Sequence, residues 1–109
     1  MSMPTLKSGF RLINGTPKIW TRKSDSGREV QCAFCPECGT RLYHLPSRNQ
    51  LIVNIKPGTL DNKNLFKPVG NLWLKSAQPR VFIPPESINF QQQPDSFDSL
   101  YMAWQNIYE

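Results

Sequence analysis

Residues 30–45 read Val-Gln-Cys-Ala-Phe-Cys-Pro-Glu-Cys-Gly-Thr-Arg-Leu-Tyr-His-Leu, and two patterns lie side by side in them. Val30, Cys32 and Phe34 alternate with Gln31 and Ala33, the period of a β-strand. Cys35-Pro36-Glu37-Cys38-Gly39 then interrupts the alternation, and Arg41 to Leu45 takes up an extended pattern again. The centre of the chain thus reads as strand, cysteine knuckle, strand. A thioredoxin-type CxxC opens a helix instead, and Gly39-Thr40 followed by strand-like residues points away from that arrangement.

Outward from this centre the chain continues as short strands and turns. Upstream, Phe10-Arg11-Leu12-Ile13 runs into Asn14-Gly15, a dipeptide suited to a type I′ hairpin turn. A strand over Lys18 to Arg22 follows, with Trp20 as its large apolar residue, and Ser24-Asp25-Ser26-Gly27 makes a second turn. Downstream, Leu51, Val53 and Ile55 share one face of a strand over Leu51 to Lys56. The expectation is a meander of antiparallel strands. Pro57-Gly58 suits the centre of a type II turn, since proline presets φ and glycine accepts positive φ. Beyond it, residues 61–70 are irregular, and Asn71 to Lys75 and Val81 to Ile83 are candidate short strands, the second stopped by Pro84-Pro85.

The one convincing helix is C-terminal. Phe97, Leu100, Tyr101, Trp104, Ile107 and Tyr108 form an apolar stripe at the helical period. Asp95 is placed to cap it, and Asp98 sits at the positive end of its dipole. Such a stripe is expected to dock on the protein's own sheet rather than on a partner.

Length and composition bound the rest. A chain of 109 residues, 39% hydrophobic, holds one domain over residues 1–109 with a small core. Ten prolines and six glycines exclude a long helical bundle. No apolar run is long enough to span a membrane, and the first ten residues have no apolar core of a signal peptide. The expected location is cytoplasmic. Net charge is +5, unevenly spread: residues 1–80 hold all 13 Lys and Arg with four acids, and residues 81–109 hold four acids and no base. A basic body attracts anions, but the aromatics are not interleaved with the bases, so nucleic acid is not an expected partner.

All three cysteines fall within seven residues, which is not the even, dispersed pattern of a disulfide scaffold. The pair Cys35 and Cys38 is the candidate metal site. Two thiolates separated by two residues converge on one tetrahedral Zn²⁺ at about 2.3 Å each. Pro36 fixes φ early in the turn, and Gly39 admits the left-handed conformation just past the second thiol. Cys32 lies on a strand three residues earlier, facing away with Val30 and Phe34, and reads as a buried small hydrophobe. The only histidine, His44, is separated from Cys38 by up to about 20 Å of extended chain. The sequence thus offers half of a zinc site.

The stretch Ser26-Gly27-Arg28 to Cys35, then CPECGTRLYH, then VNIKPGTLDN, resembles the glutathione-dependent formaldehyde-activating (GFA, or CENP-V/GFA) domain. Phe34-Cys35 with Cys38-Gly39, followed about twenty residues later by Gly58-Thr59-Leu60-Asp61, carries the resemblance, and NLWLKSAQP is similar to the family's later strand. The resemblance implies a β-tent of small coiled antiparallel sheets. It implies structural zinc at Cys35 and Cys38, and carbon–sulfur lyase chemistry on a glutathione–formaldehyde adduct. The C-x-C and C-H-C-x-x-C segments that open the family domain have no counterpart here, so the expected domain is truncated on its N-terminal side. Without those cysteines no catalytic residue is carried over, and the expected protein is catalytically degenerate. Glutathione or another small thiol is the implied ligand. A second reading is a genuine small GFA-like enzyme whose metal site is completed by a second chain, two knuckles across a homodimer giving four cysteines. The alternative is a zinc-ribbon-like binding module for nucleic acid or protein. Within GTLD the plain reading is structural: Pro57-Gly58 turns, Leu60 anchors the turn in the core, and Asp61 caps the next segment.

Overall fold

Five extended stretches, one of them holding the alternation read at residues 30–34, pair into one antiparallel sheet in the computed structural model, which describes residues 1–108. The strands are β1 (Met3–Leu6), β2 (Lys18–Lys23), β3 (Glu29–Phe34), β4 (Arg41–Pro46) and β5 (Ile52–Ile55). Their order in space is β1-β5-β4-β3-β2. β2 to β5 are therefore consecutive hairpins, the expected meander, and β1 returns to pair with β5. The chain is mainly β with one C-terminal helix, as the sequence implies. It divides into two compact units, Met1–Lys63 and Asn64 onward.

In the first unit the core lies on one face of the sheet. Ala33, Tyr43 and Val53 are buried there, with Phe10, Leu42, Leu45 and Ile55 packed around them. The Phe10 ring meets Tyr43 edge-on at 4.8 Å between centroids, and that contact explains a difference from expectation. Residues 10–13 form no strand: Phe10 turns into the core, while Leu12 and Ile13 are exposed. The first strand is instead Met3–Leu6, set in register with Ile52–Ile55. Gly15 does take positive φ, at 81°, but in a long connection rather than a two-residue hairpin. The Ser24–Gly27 turn forms as read, with the Gly27 amide donating to the Ser24 carbonyl at 2.9 Å.

One irregularity in the sheet decides where a functional side chain points. Ala33 pairs with Tyr43, but the next residue, Phe34, pairs with Arg41, so Leu42 is an extra residue on β4. Strict alternation would put Arg41 on the Tyr43 face. The bulge sends Leu42 to the core and turns Arg41 to the opposite face, the re-aiming that bulges provide. The Lys56 amide holds the bulge by donating to the Leu42 carbonyl at 3.0 Å. After β5 the chain makes a single 3₁₀ turn, Pro57–Thr59, in place of the expected type II turn. Positive φ is taken by Gly15, Gly27 and Gly39, not Gly58. Pro57, rather than Leu60, is the buried residue of this turn.

The second unit is built around two short parallel strands, β6 (Gly70–Asn71) and β7 (Ile88–Asn89), and the helix α1 (Asp98–Tyr108). The strand expected over residues 71–75 stops at Asn71, because Trp73 enters the left-handed region (φ 61°) and opens a 3₁₀ turn, Leu74–Ser76. Residues 81–83 pair with nothing as a strand, and Val81 and Phe82 are exposed. The pairing falls to Ile88, whose amide donates to the Val69 carbonyl at 3.1 Å. On α1 the face used is Trp104 and Tyr108, whose rings meet Phe66 tilted at 6.1 Å and edge-on at 5.2 Å, while the Tyr108 hydroxyl accepts from the Lys67 amide at 2.7 Å. The Ser96 hydroxyl, not Asp95, closes the helix start by accepting from the Asp98 amide at 3.1 Å. No helix among the described residues is long and apolar enough to cross a membrane.

Candidate functional site

The knuckle is a closed turn between β3 and β4. The Cys35 amide donates to the Thr40 carbonyl and the Gly39 amide to the Cys35 carbonyl, both at 2.9 Å. Gly39 at φ 77° makes the tight return possible, in a region that residues bearing a Cβ rarely enter. Cys35 is half-buried and Cys38 exposed. The Cys38 sulfur lies 3.1 Å from Thr40 Oγ1. Hydrogen bonds from the Thr40 side chain, the Thr40 backbone and the Cys35 thiol hold the Cys38 thiol below its ordinary pKa, against a smaller opposing effect of desolvation. The two thiols thus share one turn, and one of them is predisposed to the thiolate form that metals and electrophiles take.

The other two sequence candidates lie elsewhere. Cys32 is fully buried, and its thiol makes a long 3.9 Å approach to the Val30 carbonyl. His44 sits opposite Cys32 in the β3–β4 register. Among the described residues no three of His, Cys, Asp and Glu come together as a metal site. The donor set therefore fits half of a tetrahedral thiolate site and no more within this chain.

A second constellation emerges from the register. Trp20, Cys32, His44 and Asn54 form a row across β2, β3, β4 and β5, on the face opposite the core. Arg22 lies two residues along β2, Lys56 two residues beyond Asn54, and the bulge brings Arg41 to the same side. The Arg41 guanidinium rests over the Trp20 ring, 5.5 Å from its centroid, and its Nη1 lies 3.4 Å from His44 Nε2. With the guanidinium donating, Nε2 is the acceptor, so the proton of the neutral ring sits on Nδ1. The Lys56 ammonium donates to Ser2 Oγ at 2.8 Å. Burial, and then the positive charges of Lys56, Arg41 and Arg22, push the His44 pKa down to about 4. Lys56 is also lowered, by burial and by the two arginines, with Cys32 acting in the opposite sense.

Sequence reasoning missed this face. Arg22, Arg41 and Lys56 are far apart in the chain, and nothing local marks them as neighbours. The one available signal was that β1 to β5 contain many bases and a single acid, Glu29.

Comparison with known proteins adds one finding. The sequence profile of the glutathione-dependent formaldehyde-activating enzyme family matches residues 1–76, a span that contains both the knuckle and the cationic face. No curated protein and no solved structure matches the chain.

Proposed function

Because the chain belongs to the glutathione-dependent formaldehyde-activating enzyme family, we propose that it is a zinc-binding member that shares the metal between two copies of itself. In this reading it does not carry out carbon–sulfur chemistry on a glutathione–formaldehyde adduct. The observation that supports this is the two-thiol turn. Cys35 and Cys38 are adjacent on one closed loop, and no third donor of the described residues joins them.

Zinc in a closed site takes four donors. The only other thiol, Cys32, is sealed in the sheet, so a second knuckle related by a two-fold axis is the simplest source of the missing pair. When bound, zinc held by four thiolates ties chains together and leaves no open position for Lewis-acid chemistry. Cys38, already biased toward the thiolate, and Cys35 beside it are the residues that would hold it.

Native mass spectrometry on protein purified without chelator or affinity metal tests the assembly. The expected species is two chains with one zinc, reverting to metal-free monomer in the Cys35→Ser/Cys38→Ser variant. In parallel, NMR of formaldehyde and glutathione should show adduct formation at the uncatalysed rate when the protein is added. One zinc per single chain, a folded protein with no zinc, or acceleration proportional to protein concentration would each overturn the reading.

A further inference from the structure

The sheet face opposite the core gathers positive charge, and no acid of the five strands lies on it. Arg22, Arg41 and Lys56 come from three different parts of the sheet and act on one imidazole. The only acid within β1 to β5 is Glu29, which alternation places on the other face with Gln31 and Ala33. Cations gathered in this way repel one another, and an anion among them relieves that repulsion.

The geometry around them is set before any ligand arrives. Arg41 is held by the bulge in β4 and by the Trp20 ring beneath its guanidinium, which leaves N–H groups of its planar fork free for a bidentate partner. Lys56 gives one hydrogen bond to Ser2 and has two further donors. His44 lies on the central strand β4, its Nδ1–H not used by the contact to Arg41.

We propose that Arg41, His44 and Lys56 form a binding site for a compact oxyanion, the phosphate or carboxylate group of a small molecule, whose binding is coupled to proton uptake by His44. The proposal is independent of the zinc reading, since none of these residues belongs to the knuckle. The groups facing His44 are Arg22 from β2, the Cys32 thiol from β3, Arg41 from β4 and Lys56 after β5. In the free protein at neutral pH the ring is unprotonated. A bound anion adds the one opposite charge the face lacks, so proton affinity rises on binding, and by linkage affinity for the anion rises as pH falls.

His44 is the only histidine, so its ring signals in a ¹H–¹³C NMR spectrum are unambiguous. The ring is titrated on folded protein, checked by the amide spectrum, in sodium sulfate and in sodium chloride of equal ionic strength. Sulfate does not change charge over this pH range, which keeps the linkage clean. Saturable binding of sulfate but not chloride is expected, raising the His44 midpoint by at least about one pH unit, equivalent to roughly tenfold tighter binding by the protonated form. The Trp20 indole signal should move with the same saturation curve. Arg41→Gln should raise the midpoint of the free protein and remove the sulfate effect, with Lys56→Gln as the second variant should the first fail to fold. Glycerol phosphate and succinate then identify the preferred group, and saturable binding of either supports the site.

Equal effects of sulfate and chloride would overturn the proposal, since they would mean screening alone. So would a midpoint near 6.5 at low salt. Saturation by a single-stranded oligonucleotide with no response to the small anions would also overturn it, replacing a small-molecule site with a polyanion surface.

Discussion

Acidification should separate the native protein from its His44→Gln variant, and the size of the separation follows from the surroundings of the ring. In the folded chain His44 holds its proton only below about 4, against an ordinary 6.5. Unfolded chains therefore bind a proton at this position that folded chains refuse, and acid favours unfolding across that window. The contribution of the neutral ring is complete above pH 6.5 and is lost as pH falls through about 4. Were the ring sealed from water, the gap would correspond to roughly 3 kcal/mol. His44 is only half-buried, and solvent screens the cations beside it, which reduces the figure to about 1 kcal/mol. The native protein should then lose about 1 kcal/mol more than His44→Gln between pH 7 and pH 4, or ~4–8 °C in Tm for a unit of this size. Urea and thermal unfolding followed by circular dichroism at half-unit pH steps measure the difference, and carboxylates titrating in both proteins cancel. Parallel stability curves for the two proteins would refute the account of burial and cation crowding on which the value rests.

Four other outcomes are expected. In Gly70→Ala the new methyl would sit 2.8 Å from the Ile88 carbonyl and against the Leu100 side chain, so calorimetry should show a loss of about 1–3 kcal/mol; Gly9→Ala, with no neighbour within 4 Å, is the control. Iodoacetamide with peptide mapping at neutral pH should label Cys38 first and leave the fully buried Cys32 untouched until the sheet unfolds. Thr40→Val should slow the labelling of Cys38, because the hydroxyl that most lowers its pKa is gone. Val53→Ala empties a position with no solvent exposure and should cost about 2–3 kcal/mol by denaturant titration.

Four strands of the meander were legible because each is a short extended stretch with a large apolar residue, two of them alternating at a period of two, and each is bounded by residues that turn. Phe10–Ile13 has the same local pattern and is not a strand, because the edge-on contact of Phe10 with Tyr43 and the pairing of Met3–Leu6 with β5 are long-range. Local pattern carries no information about either. Val81–Ile83 and residues 71–75 failed for a related reason: segments this short take the conformation their partners allow. The C-terminal helix was legible, but its cap was not, since Asp95 and Ser96 are both capping residues and the hydrogen bond to the Asp98 amide selects the second. Of the candidate chemistry, the knuckle could be read from spacing alone. The cationic face could not, because it depends on strand order and on the one-residue bulge that turns Arg41 outward.

The two outer strands limit how the sheet can grow. β1 carries Pro4, which has no amide proton to offer an incoming strand, and the strand is only four residues long. β2, the other border, exposes all six of its residues and carries Lys18, Arg22 and Lys23, so two such borders brought together would set six positive charges in line. Proline and like charge are the devices by which natural sheets resist strand-to-strand aggregation. This sheet is therefore finite by construction. Copies of the chain that meet in solution are steered away from their exposed backbone, toward the turns and side-chain surfaces where an association can close and stop.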